Sequence, residues 1–493
     1  MSQMQSGGQG AMPAQVQQYA SEMTSLLAKP LGGQNEAASA VDGIVSMIVG
    51  KSVMQGSPKA KLDAMIAALD QKLSKQVNEI MHSDRFRAAE GAWRGLHSMV
   101  FNSPTHEDVR IKMLNVGKDE LNEIFTDYPG ADFQNSPLFK KIYDPFDTPG
   151  ASPFAAIVGD YYFGNGPVDM RVMKGMGAIC HSAHAPFIAA ADPQLLKLKS
   201  WNQINEPESL ANALDAKGYE EFNTFRKSED SRFVALTMPR TLARRPYGPD
   251  KEPVPGNAFV FHEEAGGGDS SKYVWQNASY AFGTRLIQSF ADYGLGVNIQ
   301  GREAGGAVTD LPIDTFLTDD GTLDTKCPTE VAITGRTEKD LSESCGLLPL
   351  CHYEGESFAV FFGSRNMHKA QVFRGDDSAT ANSRLGTSLP NMFAVTRFSH
   401  YLKKMVTDWG GLAMEEDKLR ERLNTWVTSY VHPNPKDAPE SELAKRPLAE
   451  AEVQVTPVPG QPGYYNAVFK LRPHFKLQGV DVSMRLVSTV GKK

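Results

Sequence analysis

Two histidines, His181 and His184, stand three residues apart in "CHSAH". On a helix that spacing puts both imidazoles on one face, where they could hold a metal. A metal would need further carboxylate or histidine ligands, and the neighbouring sequence supplies none, so a packed or capping pair is the simpler reading. Asp160 follows an apolar run and could act as an acid or base, or equally serve as a buried hydrogen-bonding fixture. Cys180, Cys327, Cys345 and Cys351 form no CxxC pair, which argues against a zinc site and for reduced thiols. No GxSxG elbow, phosphate-binding GxxxxGK[ST] loop or HExxH motif occurs. The two glycines of "GLGVNIQG" (294–301) lack the third that a dinucleotide fingerprint requires. These residues define no catalytic constellation, no metal site and no cofactor.

The densest chemistry lies in "SEDSRFVALTMPRTLARRPYG" (228–248), with two acids, four arginines and two prolines around an apolar run. "FVALTMP" reads as a buried strand. Glu229, Asp230 and Arg232 precede it, and Arg240, Arg244 and Arg245 follow. Acids at one end and guanidinium groups at the other suit bidentate Arg–carboxylate contacts, either within the chain or between subunits. An anion site is the alternative, but no helix N-terminus or glycine nest joins the arginines.

The elements that must position these residues can be read from period. Val16, Tyr19, Met23, Leu26 and Leu27 form a short amphipathic helix, with Pro13 at its start and Pro30, Gly32 and Gly33 at its end. A second helical pattern, "AVDGIVSMIVG", leads to the linker "KSVMQGSPK". From Lys61 a long helix begins, with Leu62, Met65, Ile66, Leu69, Leu73, Val77 and Ile80 in one apolar stripe and charges opposite. Helical spacing resumes through Phe86, Ala89, Trp93 and Leu96. "VRIKMLNV" (109–116) alternates like a strand, "ELNEIF" is helical, and "PFAAIVGDYYF" (153–163) has buried-strand character. "VMKGMGAICHSAHAPFIAAA" (172–191) reads as one buried helix, apolar nearly all round. Two helical stretches, beginning "FAVTRFSHYLKK" and "MEEDKLRERL", precede three strand-like runs: "EAEVQVTPV", "YYNAVFKLRPHF" and "GVDVSMRLVSTV". A terminal three-stranded element has edges, which invite pairing with another chain. Together these predict a mixed α/β, multi-domain chain. It has a flexible helical N-terminal region (1–58), a core domain (59–375) and a C-terminal domain with the terminal strands (376–493).

Composition narrows the class. A net charge of −7 argues against general nucleic-acid binding, which needs a positive footprint. No secretory leader pattern and no run of about 18 apolar residues is present, so a cytoplasmic protein without direct membrane insertion is expected.

Ten motifs in order carry a resemblance. They are "AAEGAWRGLHSMV" (88–100), "PFAAIVGDYYF" (153–163), "AHAPFIAAADP" (183–193), "FRKSEDSRFVALTMPRTLARRPYG" (225–248) and "YVWQNASYAFGTRL" (273–286). They continue with "GGAVTDLPI" (305–313), "PTEVAITGRTEKDLSE" (328–343), "RFSHYLKK" (397–404), "LNTWVTSYV" (423–431) and "PGYYNAVFKLRPHFKL" (462–477). Through them the chain resembles the large subunit of the type VI secretion contractile sheath, the TssC or VipB family. Phe222, Lys227 and Leu295 depart from the residues usual at their positions in it.

The resemblance implies a mechanical role and no enzyme activity. Its members pair with a small sheath subunit (TssB or VipA), and the heterodimers polymerise with neighbouring protomers into a helical tube. That tube surrounds an Hcp inner tube, stands in the cytoplasm on a membrane-anchored baseplate, and contracts. In this light Glu229, Asp230, Arg232, Arg240 and Arg245 are expected to fix the core and its subunit contacts. Trp93, Arg94, Asp160, Trp275, Arg397 and Arg472 are further scaffold or interface candidates. The helix Val16–Leu27 occupies the place where members dock the ClpV unfoldase, although its residues depart from the family pattern. The residues leave one alternative, an α/β enzyme using Asp160, His181, His184 or the arginines, and the resemblance leaves another, a sheath of a phage-tail-like injection machine.

Overall fold

The computed structural model describes residues 58–493, except 105–106, 149, 206–209, 250, 252–259, 266–269, 310, 319, 354, 410–415, 435–437, 458–464, 475–483 and 491–493. The sequence-predicted helices at 16–27 and 40–50 lie outside the described residues. The chain divides into two compact units, one made of 1–83 with 246–265 and the other of 84–245 with 266–493.

In the first unit, helix α1 (Pro58–Met81) carries the predicted stripe but turns most of it outward, with Met65 buried and Val77 half-buried. Leu62, Ile66, Leu69, Leu73 and Ile80 are between 42% and 60% exposed. The helix is held instead by a polar face at i, i+4, i+8, the spacing that stacks side chains on consecutive turns. Asn78 Nδ2 donates to His262 O at 2.8 Å, and Glu264 N donates to Asn78 Oδ1 at 3.0 Å. Ser74 Oγ reaches Val260 O at 3.5 Å, and Val260 N reaches Asp70 Oδ2 at 3.4 Å. Segment 260–264 thus runs along α1, where the helix's side chains meet part of its backbone and Glu263 N donates to Tyr247 O at 2.9 Å.

The second unit is built on a four-stranded parallel sheet in the order β1 (Ile157–Phe163), β2 (Phe187–Ala191), β3 (Val234–Met238), β4 (Leu348–Pro349). Strands β2 and β3 are wholly buried, because helices cover both faces. Period two sorts the side chains. Phe187, Ala189, Val234 and Leu236 share one core with the helices α3 (Lys118–Asp127), α4 (Pro137–Asp147) and α5 (Pro167–Ala183). Ile188, Ala235 and Leu348 point the other way, into a second core with Ala278, Ala281 and Phe282 of helix α6 (Ala278–Tyr293). Helix α2 (Asp84–Phe101) packs on α6, where a Cβ at Gly95 would sit 2.2 Å from the Tyr280 ring.

Three readings of the sequence need correction. The run 172–191 is not one helix: α5 stops at His184, which takes a left-handed φ of 52°, and "FIAAA" becomes β2. Pro186 explains the break, since it lacks a donor and biases Ala185 away from helix. Strand β1 is only half-buried, because it forms an edge of the sheet. Segment 109–116 forms no strand and pairs with none among the described residues.

The C-terminal part follows expectation. Helices α7 (Leu389–Trp409) and α8 (Glu416–Thr428) lead to an antiparallel sheet in the order β5 (Leu448–Pro457), β6 (Tyr465–Pro473), β7 (Met484–Val490). Leu419, Leu423 and Val427 of α8 bury Val453, Val455, Phe469 and Leu471 on one face of this sheet. Its outer strands, β5 and β7, are edges.

Candidate functional site

The arginine-rich stretch enters the sheet through a 3-10 turn, Glu229–Phe233, and β3 follows. At the turn, Asp230 Oδ1 lies 2.7 Å from His181 Nδ1, and Glu229 lies 3.1 Å from Arg232 Nε. The acids therefore serve the entry to the strand and do not reach the arginines beyond it.

Those arginines find carboxylates far away in sequence. Arg240 makes a two-point contact with Glu330, Nε to Oε2 at 2.8 Å and Nη2 to Oε1 at 2.7 Å. Burial disfavours the Arg240 charge, but the Glu330 hydrogen bonds and charge outweigh it and raise its pKa. Glu330 N donates back to Arg240 O at 2.9 Å, closing the clasp. Arg244 grips Glu90 of α2, Nε to Oε1 at 2.6 Å and Nη2 to Oε2 at 3.2 Å. Arg94 Nε reaches the same Oε1 at 2.7 Å. Arg245 is exposed, and its carbonyl accepts from Arg244 Nη1 at 3.0 Å.

The other predicted positions scatter. Trp275 lies under α2: a Cβ at Gly91 would be 2.3 Å from its carbonyl oxygen, and its indole donates to Ser270 O at 2.8 Å. Trp93, on the same helix, is 64% exposed. Asp160 has its pKa raised by burial, against hydrogen bonds from Asn277 and Tyr280 that stabilise its charge. Arg397 stacks its guanidinium over Phe290 and Tyr401. Arg472 pairs with Glu450 across the β5–β6 ladder. Val16, Tyr19, Met23, Leu26 and Leu27 lie outside the described residues.

Sequence reasoning missed three members of this framework: Glu90, Glu330 and Arg226. Arg226 is fully buried, donates to Met367 O at 3.0 Å and Ser344 O at 3.1 Å, and has its pKa lowered by that burial. Its place inside "FRKSEDSRF" was the available signal. The two glutamates gave none, since their partners are 154 and 90 residues away.

His181 and His184 both pack against Phe233, but no third ligand joins them among the described residues. His181 faces Asp230 and stacks on Phe233, whereas His184 packs against Phe146. Among the described residues no group of three His, Cys, Asp or Glu is placed to hold a metal. Burial pushes Cys345 up to about 11 and Cys351 up to about 12, which leaves them weak nucleophiles. No described helix is long and apolar enough to cross a membrane.

Comparison with known proteins then places this framework. Residues 63–368 match the tail sheath N-terminal domain of the EvpB/VC_A0108 family, VipB, and residues 378–490 match its tail sheath gpW/gp25-like domain. The chain belongs to the VipB tail-sheath family. It is 42% identical over 475 residues, 95% of each chain, to the type VI secretion system sheath protein TssC1 of Pseudomonas aeruginosa. The resemblance drawn from the ten motifs therefore holds, and the role it supports is that of a sheath subunit.

In this sheath protein a pH response is built into the end of α5. Burial lowers both His184 and His400 from 6.5 to about 4. Both rings lie 5.5 Å from Phe146, and His400 Nε2 lies 3.2 Å from Ala183 O. Both are neutral when folded, while the unfolded chain takes up protons below about 6.5. Their contribution is thus complete above that pH and drains as pH falls toward 4. Between pH 7 and 5 each site should cost about 2 kcal/mol of stability. Urea unfolding at the two pH values measures it; a His400→Asn variant with an unchanged pH slope would refute the assignment.

Proposed function

We propose that this chain is the large sheath subunit, which pairs with a small sheath subunit of the TssB/VipA kind. The heterodimers polymerise into a cytoplasmic helical tube around an Hcp inner tube, and contraction propels that tube from the baseplate. The role is mechanical rather than enzymatic. The observation that carries the reading is the outward stripe of α1. Leu62, Ile66, Leu69, Leu73 and Ile80 recur at four, three, four and seven residues, the seam of a helix–helix contact. The polar face of α1 is already engaged by 260–264, and the outward seam is assigned to another chain. The clasps Arg240–Glu330 and Arg244–Glu90 act as internal scaffold, while Trp93 and Arg245 lie on the surface available to neighbours. Arg94, Asp160, Glu229, Asp230, Arg232, Trp275, Arg397 and Arg472 complete the framework behind those surfaces. Docking of ClpV at Val16–Leu27 belongs to the same proposal.

Negative-stain electron microscopy of the chain co-expressed with its small subunit tests this reading. Hollow tubes that need both chains support it; dispersed particles with no partner-dependent assembly overturn it. Lattice linkage is assigned to the outer strands of the C-terminal sheet. Deleting residues 480–493, which removes β7, is expected to leave a soluble heterodimer and abolish long tubes. Unchanged tube length would show that β7 links nothing.

A further inference from the structure

We propose that residues 109–116, "VRIKMLNV", are a strand-addition site that receives an acidic, extended segment of the small sheath subunit. The inference rests on the heterodimer reading above and names a second place where the two chains meet.

The segment is strand-like in every respect but pairing. It contains no Gly, Pro or acid, and no helix or turn interrupts it. Its residues 110–115 are all exposed, so neither face lies on a core. Met113 is 64% and Leu114 51% exposed, with Ile111 beside them. Among the described residues, no backbone N–H or C=O from 109 to 115 has a backbone partner.

The segment is nonetheless anchored. Tyr161 Oη donates to Val116 O at 2.8 Å, and Lys118 Nζ donates to Tyr162 O at 2.7 Å. Lys112 Nζ stands 5.4 Å above the Phe154 ring. Positions 112, 116 and 118 thus meet 154, 161 and 162 in the same order, so the segment runs alongside edge strand β1. Buried Leu121 and Phe125 of α3 fix its far end. A chain anchored along one side, with its main-chain groups open, can receive a strand by β-augmentation.

The occupant follows from backbone and charge. Unpaired groups at strand spacing are satisfied by another strand, not by a helix. Arg110 and Lys112 share one face of the segment, in a chain whose net charge is −7, so the complementary strand carries acids opposite them. Basic residues on an edge can also serve to repel pairing. Here three large apolar side chains stand in water beside them, which a purely protective edge would avoid.

The test is hydrogen–deuterium exchange of the full chain, alone and in complex with the small subunit. Amides 110–115 should exchange freely in the chain alone and slow by about 100-fold or more in the complex. Successive strand residues point their N–H groups to opposite sides, so Met113→Pro and Leu114→Pro are compared. One of the two should weaken pairing by about 100-fold, with thermal unfolding of the lone chain unchanged. A complex whose 110–115 amides stay unprotected overturns this site and leaves the heterodimer reading standing. Absence of any complex overturns both. Protection already present in the lone chain would assign the strand to a second copy or to the chain itself, and would also overturn the proposal.

Discussion

Ile66→Glu combined with Leu73→Glu is expected to abolish partner-dependent tubes while leaving the chain folded. Both residues are exposed in this chain, 49% and 43%, so their replacement removes little burial from its own core. Glutamate is also a good helix former, and the direct cost to the isolated chain should stay within about 0.5 kcal/mol per site. In the proposed assembly the same positions form the seam between two helices. Each apolar side chain contributes about 1.5–3 kcal/mol when fully buried, and a carboxylate buried there without a partner costs more. Two such changes should weaken pairing by more than about 1000-fold. Sedimentation of the co-expressed pair and thermal unfolding of the chain alone separate the cases. Normal tubes would sink the seam. A chain that melts many degrees lower would show that the stripe is covered by part of this same polypeptide.

This helix also marks how far the sequence could be read. Its 3.6-residue period was plain, and so was the stripe. Period identifies a face without saying which chain covers it. The deciding contacts, from Asp70, Ser74 and Asn78 to the backbone of 260–264, span more than 180 residues and have no local signature. Strand β3 was legible because five consecutive buried residues between turn signals leave few alternatives. Strand β2 was not: "FIAAA" continues the small apolar residues of α5 without a change of composition, and only Pro186 marks the turn. Segment 109–116 shows the reverse error. Its propensity is that of a strand, but a strand exists only where another supplies the ladder. Arg240 and Arg244 do meet carboxylates, as their type suggests, but the choice of Glu330 and Glu90 is made by the tertiary fold. The arginine stretch is thus tied to α2 through Glu90 and to the loop at 330 through Glu330.

The tie to α2 carries the second large effect. Glu90 receives Arg244 through both carboxylate oxygens and Arg94 through one. The Arg244 side chain is 6% exposed, so its charge depends on what the protein supplies. Burial alone would raise the Glu90 pKa, yet the hydrogen bonds and charges of Arg244 and Arg94 outweigh it and hold the carboxyl below its ordinary 4.5. Glu90→Gln keeps the shape and removes the charge that neutralises a buried guanidinium. Breaking one side of such a pair costs about 3–5 kcal/mol, so chemical denaturation at pH 7 should show a loss of that size. Arg94→Gln, at the partly exposed rim of the same cluster, should cost less than about 1 kcal/mol. The pH dependence supplies an independent check. A depressed carboxylate contributes stability above its unfolded pKa and loses it as pH falls below about 4.5. The Glu90→Gln protein should therefore lose less stability than the parent on that acid limb. If Glu90→Gln costs under about 1 kcal/mol, the Coulombic gain merely matches the desolvation of the two groups. The grip of α2 on the arginine stretch would then rest on packing alone, on the close approach of Gly91 to Trp275 and of Gly95 to Tyr280.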